Sequence, residues 1–382
     1  MRPPADRERE MRHVLMTTAS LALCAMPLHA QNFDDPEEFA RQQEQLQAEP
    51  MGPEGQPWLQ HIGDSMVETA DLGLEAPATV CFSNAGVNNP WRVVGYTNMT
   101  EELANHDSIE NFVHVDAEGS DDKQIADIDD LLAGGECDVM IVSPNTTAAL
   151  TPAVERACEA MPVIVFDRGV NTDCPVTFVH PVGGYGFGIQ GAEFIVSQVD
   201  EGSDVLMLRI LPGVDVLETR YSAGRRILDE AGMDIVGAEF TDGDNARTKS
   251  IVEDYLQRGN IDAVWMDAGA TAVAAIEAFE DSGYDIPVFV GEDQQDFLRK
   301  WQDEGMTAIA PTYPTYQWRT AVIAAARVIE GEALPGPEWV LPQPAITQEN
   351  LDSYVNPAMP PLHYAMCGCE EMANYPQAWG GN

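Results

Sequence analysis

From residue 76 onward the chain alternates short apolar runs with longer segments whose apolar residues recur every three or four positions. The runs at 79–83, 112–115, 138–143, 162–167 and 176–180 are rich in β-branched and aromatic residues and apolar on both faces, the pattern of strands covered on both sides. Between them, 91–103, 121–133 and 147–159 carry the helical period, with Pro90 suited to a first-turn position. Parallel strands need crossovers of a dozen residues or more, so this alternation predicts a parallel sheet with helices on both faces. A second series follows, with strands at 204–209, 235–240, 263–266 and 288–290 among helices at 185–199, 217–231, 247–258, 270–282 and 294–304. Residues 307–314 lead back to the first series, whose last helix is 317–330. Two similar α/β domains are expected, preceded by a polar, proline-containing stretch at 31–75 that reads as a loosely ordered lead-in.

The strand at 162–167 ends abruptly in Asp167-Arg168-Gly169. Ligands of open parallel sheets sit at the carboxyl ends of strands. A carboxylate accepts hydrogen bonds and a guanidinium donates several in one plane, so the two together could hold neighbouring hydroxyls of a sugar ring. The alternative is an ion pair that caps a loop.

Charge narrows the partners. The 382 residues carry 63 acids against 20 bases, a formal net charge of −43. Nucleic acid therefore has no electrostatic footprint here, and anionic lipid is not attracted. Residues 11–30 read as an export signal: Arg12, an apolar core at 14–28, and Leu28-His29-Ala30 as the cleavage point. An exported, soluble protein meets an oxidising compartment, where disulfides are allowed. Cys158 and Cys174 flank the central strand and form the favoured pair, while Cys81 reads equally well as a buried thiol. The tight group of His363, Cys367 and Cys369 does not have the spacing of a zinc site.

Two motifs fail on context. Gly63-Asp64-Ser65-Met66 has the nucleophile block of some esterases, without a leading strand or a downstream Asp-x-x-His. Gly186-Phe187-Gly188-Ile189-Gln190-Gly191 has the form of a dinucleotide loop, but the next strand ends in Leu208-Arg209-Ile210 without the acid a ribose needs. Three glycines also suit a crossover where backbones run close together.

Several blocks together resemble one family. Ser83-Asn84-Ala85-Gly86-Val87-Asn88-Asn89-Pro90-Trp91, the helix from Asp122-Lys123-Gln124, Asp138-Val139-Met140-Ile141-Val142-Ser143-Pro144-Asn145 and then 162–168 follow the order seen in periplasmic substrate-binding proteins of sugar ABC transporters, the ribose- and galactose-binding type. The resemblance implies a type I periplasmic binding protein fold, with two Rossmann-like lobes joined by a three-segment hinge. The lobes would comprise 76–182 with 313–340, and 183–312 with 341–382. The implied function is non-enzymatic: capture of a sugar or sugar-like polyol by hinge closure and delivery to membrane ABC permease subunits, by a monomer without a cofactor. A periplasmic sensory receptor for chemotaxis or two-component signalling is the alternative.

Carried over by position, Asn89 matches a side-chain amide on sugar hydroxyls and Trp91 an aromatic that stacks on the ring. Asp167, Arg168 and Asp293 match hydroxyl-binding charges. The chain departs from the family where Arg92 replaces a second aromatic, where Tyr221 replaces an arginine with Arg220 next door, and where Asn245 replaces another aromatic. Asp267 stands near an expected Asn-Asp pair, and Thr312 replaces a glutamine. Trp265, Asp267, Glu292 and Asp293 would make the second wall acidic, leaving room for an amino sugar or another cationic polyol. Residues after 339 would return to the second lobe, and the tail to Asn382, with Cys367-Gly368-Cys369, would pack over a lobe or near the hinge.

Overall fold

The structure, a computed structural model, describes residues 33–382, so the expected export signal lies outside the described residues. Past Phe33 the polar extension is folded rather than loose, which corrects the expectation for 31–75. Helix α1 (Pro36–Gln45) starts at Asp35, whose carboxylate accepts from the N–H groups of Glu37 and Glu38. Strand β1 (Met66–Val67) pairs antiparallel with Leu334–Pro335. The few apolar residues of this stretch are too sparse to show a period, yet Phe39 and Trp58 find sockets. Phe39 meets Tyr185 edge-on at 5.9 Å, and Trp58 is buried with its carbonyl accepting from Thr320 Oγ1 at 2.8 Å.

The first lobe follows as β2 (Ala78–Asn84), α2 (Pro90–Glu102), β3 (Ile109–Asp116), α3 (Asp121–Gly134), β4 (Val139–Ser143), α4 (Thr147–Ala160), β5 (Val163–Phe166) and β6 (Thr177–Pro181). The second comprises α5 (Gly184–Gln198), β7 (Asp204–Arg209), α6 (Asp215–Glu230), β8 (Asp234–Phe240), α7 (Asn245–Leu256), β9 (Ala263–Met266), α8 (Ala272–Ser282), β10 (Val288–Val290), α9 (Gln295–Glu304) and β11 (Ala308–Ile309). The chain then returns through α10 (Gln317–Glu330), β12 (Leu334–Pro335) and β13 (Glu338–Leu341) to close the first sheet. That sheet runs β13-β6-β5-β4-β2-β3 and the second β11-β10-β9-β7-β8, with every strand pair parallel. This is the two-lobed α/β fold the alternation implies.

Helix α10 is buried on nearly every side because it lies between the first sheet and α2; its Trp318 packs against Phe82 at 6.0 Å and Phe166 at 4.9 Å. Three segments cross between the sheets, and side chains lace them together. Gln343 accepts from Gly183 N–H at 2.7 Å and donates to its carbonyl at 3.2 Å, while Thr312 Oγ1 donates to the Pro344 carbonyl at 2.7 Å.

The glycines of 186–191 serve packing. A Cβ on Gly188 would lie 2.2 Å from the Arg220 carbonyl, so only glycine lets α5 approach α6 this closely. The Gly186 N–H donates to Gln42 Oε1 of α1 at 3.0 Å, which occupies the position a pyrophosphate would need. Gly63, Asp64 and Ser65 are exposed, with no strand leading into them.

Cys158 is bonded to Cys174. Cys81 is not a free thiol: it is bonded to Cys137, which stands just before the adjacent β4. Cys367 is bonded to Cys369. The tail touches both lobes. Ala365 N–H donates to the Asp293 carbonyl at 2.8 Å on one side, and Asn98 of α2 donates to the Cys367 carbonyl at 2.9 Å on the other.

Candidate functional site

The carboxyl ends of β2, β4 and β5 face those of β7, β9 and β10 across a cavity of about 190 Å³. That is smaller than the several hundred Å³ of drug-sized sites and suits a small ligand.

On the first-lobe wall, Asp167 follows β5 with φ at 69°, the left-handed region in which a non-glycine residue is strained. Its carboxylate accepts from Arg92 Nη2 at 2.9 Å, and both side chains are 4% exposed. Arg92 Nη1 also reaches Asn84 Oδ1 and Ser143 Oγ, each at 3.3 Å. Burial lowers the Arg92 pKa to about 10 against the pull of Asp167, so the guanidinium stays charged at neutral pH. Arg168 donates to the Asn145 carbonyl and keeps a buried Nε without a partner.

Asn89 is the N-cap of α2, its Oδ1 accepting from Arg92 N–H at 2.9 Å, and it lines the cavity from there. Trp91 lies two residues on, in the first turn, donating through Nε1 to the Tyr313 carbonyl at 2.8 Å with the two rings 5.7 Å apart. Tyr313 comes from the crossover into α10 and donates its hydroxyl to the Asp167 carbonyl at 3.2 Å.

The facing wall has a second ion pair. Arg220 of α6 donates to Glu292 Oε1 at 3.2 Å and to the Asp267 carbonyl at 2.6 Å, with its guanidinium over the rings of Phe187 and Tyr313. Glu292 also accepts from Gly269 N–H at 3.1 Å and from the Tyr364 hydroxyl at 3.3 Å. Around this pair runs an apolar shelf of Ile210, Leu211, Val214, Val216 and Leu217.

Six of the ten expected residues thus meet at one cavity: Asn89, Trp91, Arg92, Asp167, Arg168 and Arg220. The other four do not line it. Asp267 is fully buried behind the wall, where Oδ1 accepts from Ile210 N–H at 2.8 Å. Asp293 is fully buried and turned to the tail, where Oδ2 accepts from Met366 N–H at 2.6 Å. Burial pushes both carboxyls up to about 7. Tyr221 packs on Trp265 and under Arg209, because α6 turns its neighbour Arg220 inward instead. Asn245 is exposed at the first residue of α7.

The expected acidic second wall is therefore corrected. Arg92, Arg168 and Arg220 stand against Asp167 and Glu292 at the cavity, and the other two acids hold backbone. Tyr313 and Tyr364 were not among the expected site residues. Tyr313 sits in a stretch legible only as a return, and Tyr364 in a tail without periodicity.

A family model described as Periplasmic binding protein domain matches residues 80–333. The ribose import binding protein RbsB of Bacillus subtilis is 27% identical over 265 residues, covering 69% of this chain and 85% of that protein. Among solved structures, an ABC transporter solute binding protein from Thermobispora bispora superposes with a TM-score of 0.66 at 23% identity, covering 75% of this chain and 90% of that one. One from Bacillus halodurans with bound myo-inositol gives 0.65 at 22% identity, covering 74% and 98%. With two thirds of its length under that family model and its two parallel-sheet lobes closing on one cavity, the chain belongs to the periplasmic binding protein family.

Proposed function

We propose that this receptor captures a neutral sugar or sugar-like polyol between its lobes and delivers it, as a periplasmic monomer, to an ABC permease. One observation carries the reading: each lobe presents a buried guanidinium–carboxylate pair, Arg92–Asp167 and Arg220–Glu292, to the same cavity. A hydroxyl is both donor and acceptor, so a polyol can satisfy both halves of each pair. Trp91 and Tyr313 offer the apolar surface that the C–H face of a sugar ring needs. Three arginines against two acids disfavour a cationic ligand, which removes the support for an amino sugar.

No side chain in this arrangement is asked to form or break a bond, in keeping with a family of non-enzymatic solute receptors. Ligand contacts from both walls exist together only when the lobes approach, so the ligand selects the closed state by its differential affinity. The relatives named for ribose and found with myo-inositol lend the polyol class their support.

A thermal-shift screen against pentoses, hexoses, cyclic polyols and dinucleotides tests the reading. Ligand that binds only the folded state raises the melting temperature by mass action, and a neutral polyol is expected to do so. Stabilisation by dinucleotides alone would overturn it. Loss of uptake of the identified ligand in a deletion strain would support delivery; unimpaired uptake would favour the sensory alternative.

A further inference from the structure

The tail carries a second constellation, next in sequence to the cavity-lining Tyr364 and beyond the residues matched by the family model. His363, Cys367 and Cys369 are all buried, and their imidazole nitrogen and two sulfurs lie within 4.8 Å of one another. Among the described residues this is the one such group of three. His363 is 3% exposed; its Nε2 faces Cys369 Sγ at 4.0 Å and Nδ1 has no hydrogen-bond partner. A buried, unpartnered ring nitrogen beside two sulfurs is costly unless something is held there.

We infer that the reduced form of Cys367-Gly368-Cys369, with His363, is a buried binding site for a soft monovalent cation, Cu(I). Three features beyond the ligand trio support this. Thiolate and thioether donors select Cu(I), and Met359 and Met372 pack in the same cluster as both cysteines. Two cationic groups stand close by: Arg319 donates to the Gly368 carbonyl between the cysteines, and Arg299 donates to the Met359 carbonyl at 2.5 Å. Arg299 would offset part of the negative charge of two thiolates around one monovalent ion, while Arg319 is shared with Glu102 at 2.6 Å. Finally, His363 lines an open groove of about 520 Å³ between the start of α2 and the tail, which gives an ion a path inward.

Disulfide and metal compete for the same two sulfurs. In the structure Cys367 and Cys369 are bonded to each other, so loading begins with reduction. An external dithiol gives two electrons and two protons to the bond, leaving as its own disulfide while Cys367 and Cys369 become thiols. Cu(I) then displaces the two thiol protons and takes Nε2 as its third ligand. Zinc would need a fourth ligand, for which the hard donor at hand is Glu370, with Oε1 3.5 Å from Cys367 Sγ.

The test is a competition titration of the full chain with Cu(I) alone, against a coloured Cu(I) chelator under anaerobic conditions, after phosphine reduction and removal of the reductant. Because reduction also opens Cys81–Cys137 and Cys158–Cys174, the reduced chain is expected to withdraw one Cu(I) more than the equally reduced Cys367→Ser chain, and the oxidised chain none. Cys367→Ser should weaken retention at least about 100-fold and His363→Asn at least about tenfold, the scale set by changes even at outer-shell partners. Equal retention by reduced and oxidised protein would overturn the site without reliance on any variant. So would retention by Cys367→Ser equal to that of the parent. One tightly held zinc, lost in Glu370→Gln while Cu(I) is released, would overturn the assignment to Cu(I).

Discussion

The two walls of the cavity are built in different ways. The first-lobe wall follows directly from strand ends: Asp167 after β5, and Asn89 to Arg92 in the loop and helix after β2. Its polar atoms are held several times over, with Arg92 bonded to Asp167, Asn84 and Ser143 at once. The second-lobe wall is an apolar shelf with one ion pair, Arg220–Glu292, and that pair is pinned by Tyr364 from the tail. The first wall can fix hydroxyl geometry before the ligand arrives. The second contributes area and one charged pair, so under the proposed function the first wall orients the ligand and the second favours closure.

The largest effect is expected of Asp167→Ala. It leaves Arg92 buried without its partner, and is expected to cost about 3–5 kcal/mol of folding stability, as breaking a buried ion pair does. Binding should weaken by about 100-fold, the scale of a lost charge-assisted hydrogen bond to ligand. Denaturant titration and calorimetry read the two effects separately. Trp91→Ala should follow, with about tenfold weaker polyol binding from the lost ring face, measured by the same calorimetry.

Tyr364→Phe tests the second wall more gently. It removes one hydroxyl that donates to Glu292 and accepts from Gln294 Nε2 at 2.7 Å, and about fivefold weaker binding is expected.

The smallest effect on binding belongs to Asp267→Asn and Asp293→Asn, because neither carboxylate faces the cavity. Their signature is in stability. Both folded-state pKa values, about 7, lie above the ordinary carboxylate range near 4, so the folded protein holds protons that the unfolded chain has released. Stability from these groups is present in full below about pH 4 and is lost as pH rises through about 7. Melting temperature measured from pH 4 to 8 should show that fall in the parent and a shallower one in each Asn variant.

What was legible in the sequence follows the same division. Strands β7, β9 and β10 and helix α10 show themselves through runs and periods, and Asp167 and Arg168 through their place at a strand end. Which of two adjacent acids faces a ligand does not show. Glu292 and Asp293 follow the same strand, yet one meets Arg220 and the other the Met366 N–H, because the tail that decides this arrives some seventy residues later. Tyr364 was hidden for that reason, and α1 because Phe39 and Gln42 find partners in α5 rather than in any local pattern. Cys81 shows no cue for Cys137, since their bond depends on β2 and β4 lying side by side.

The most direct test of the account is a calorimetric titration of the protein with a matched panel of neutral sugars, cyclic polyols and their amino-substituted analogues. Two balanced ion pairs and a third arginine at the cavity predict a one-site isotherm for a neutral polyol, with the amino analogue at least about tenfold weaker, since like charge at close quarters opposes binding. Tighter binding of the amino analogue would contradict the account and return the acids of the second wall to the ligand.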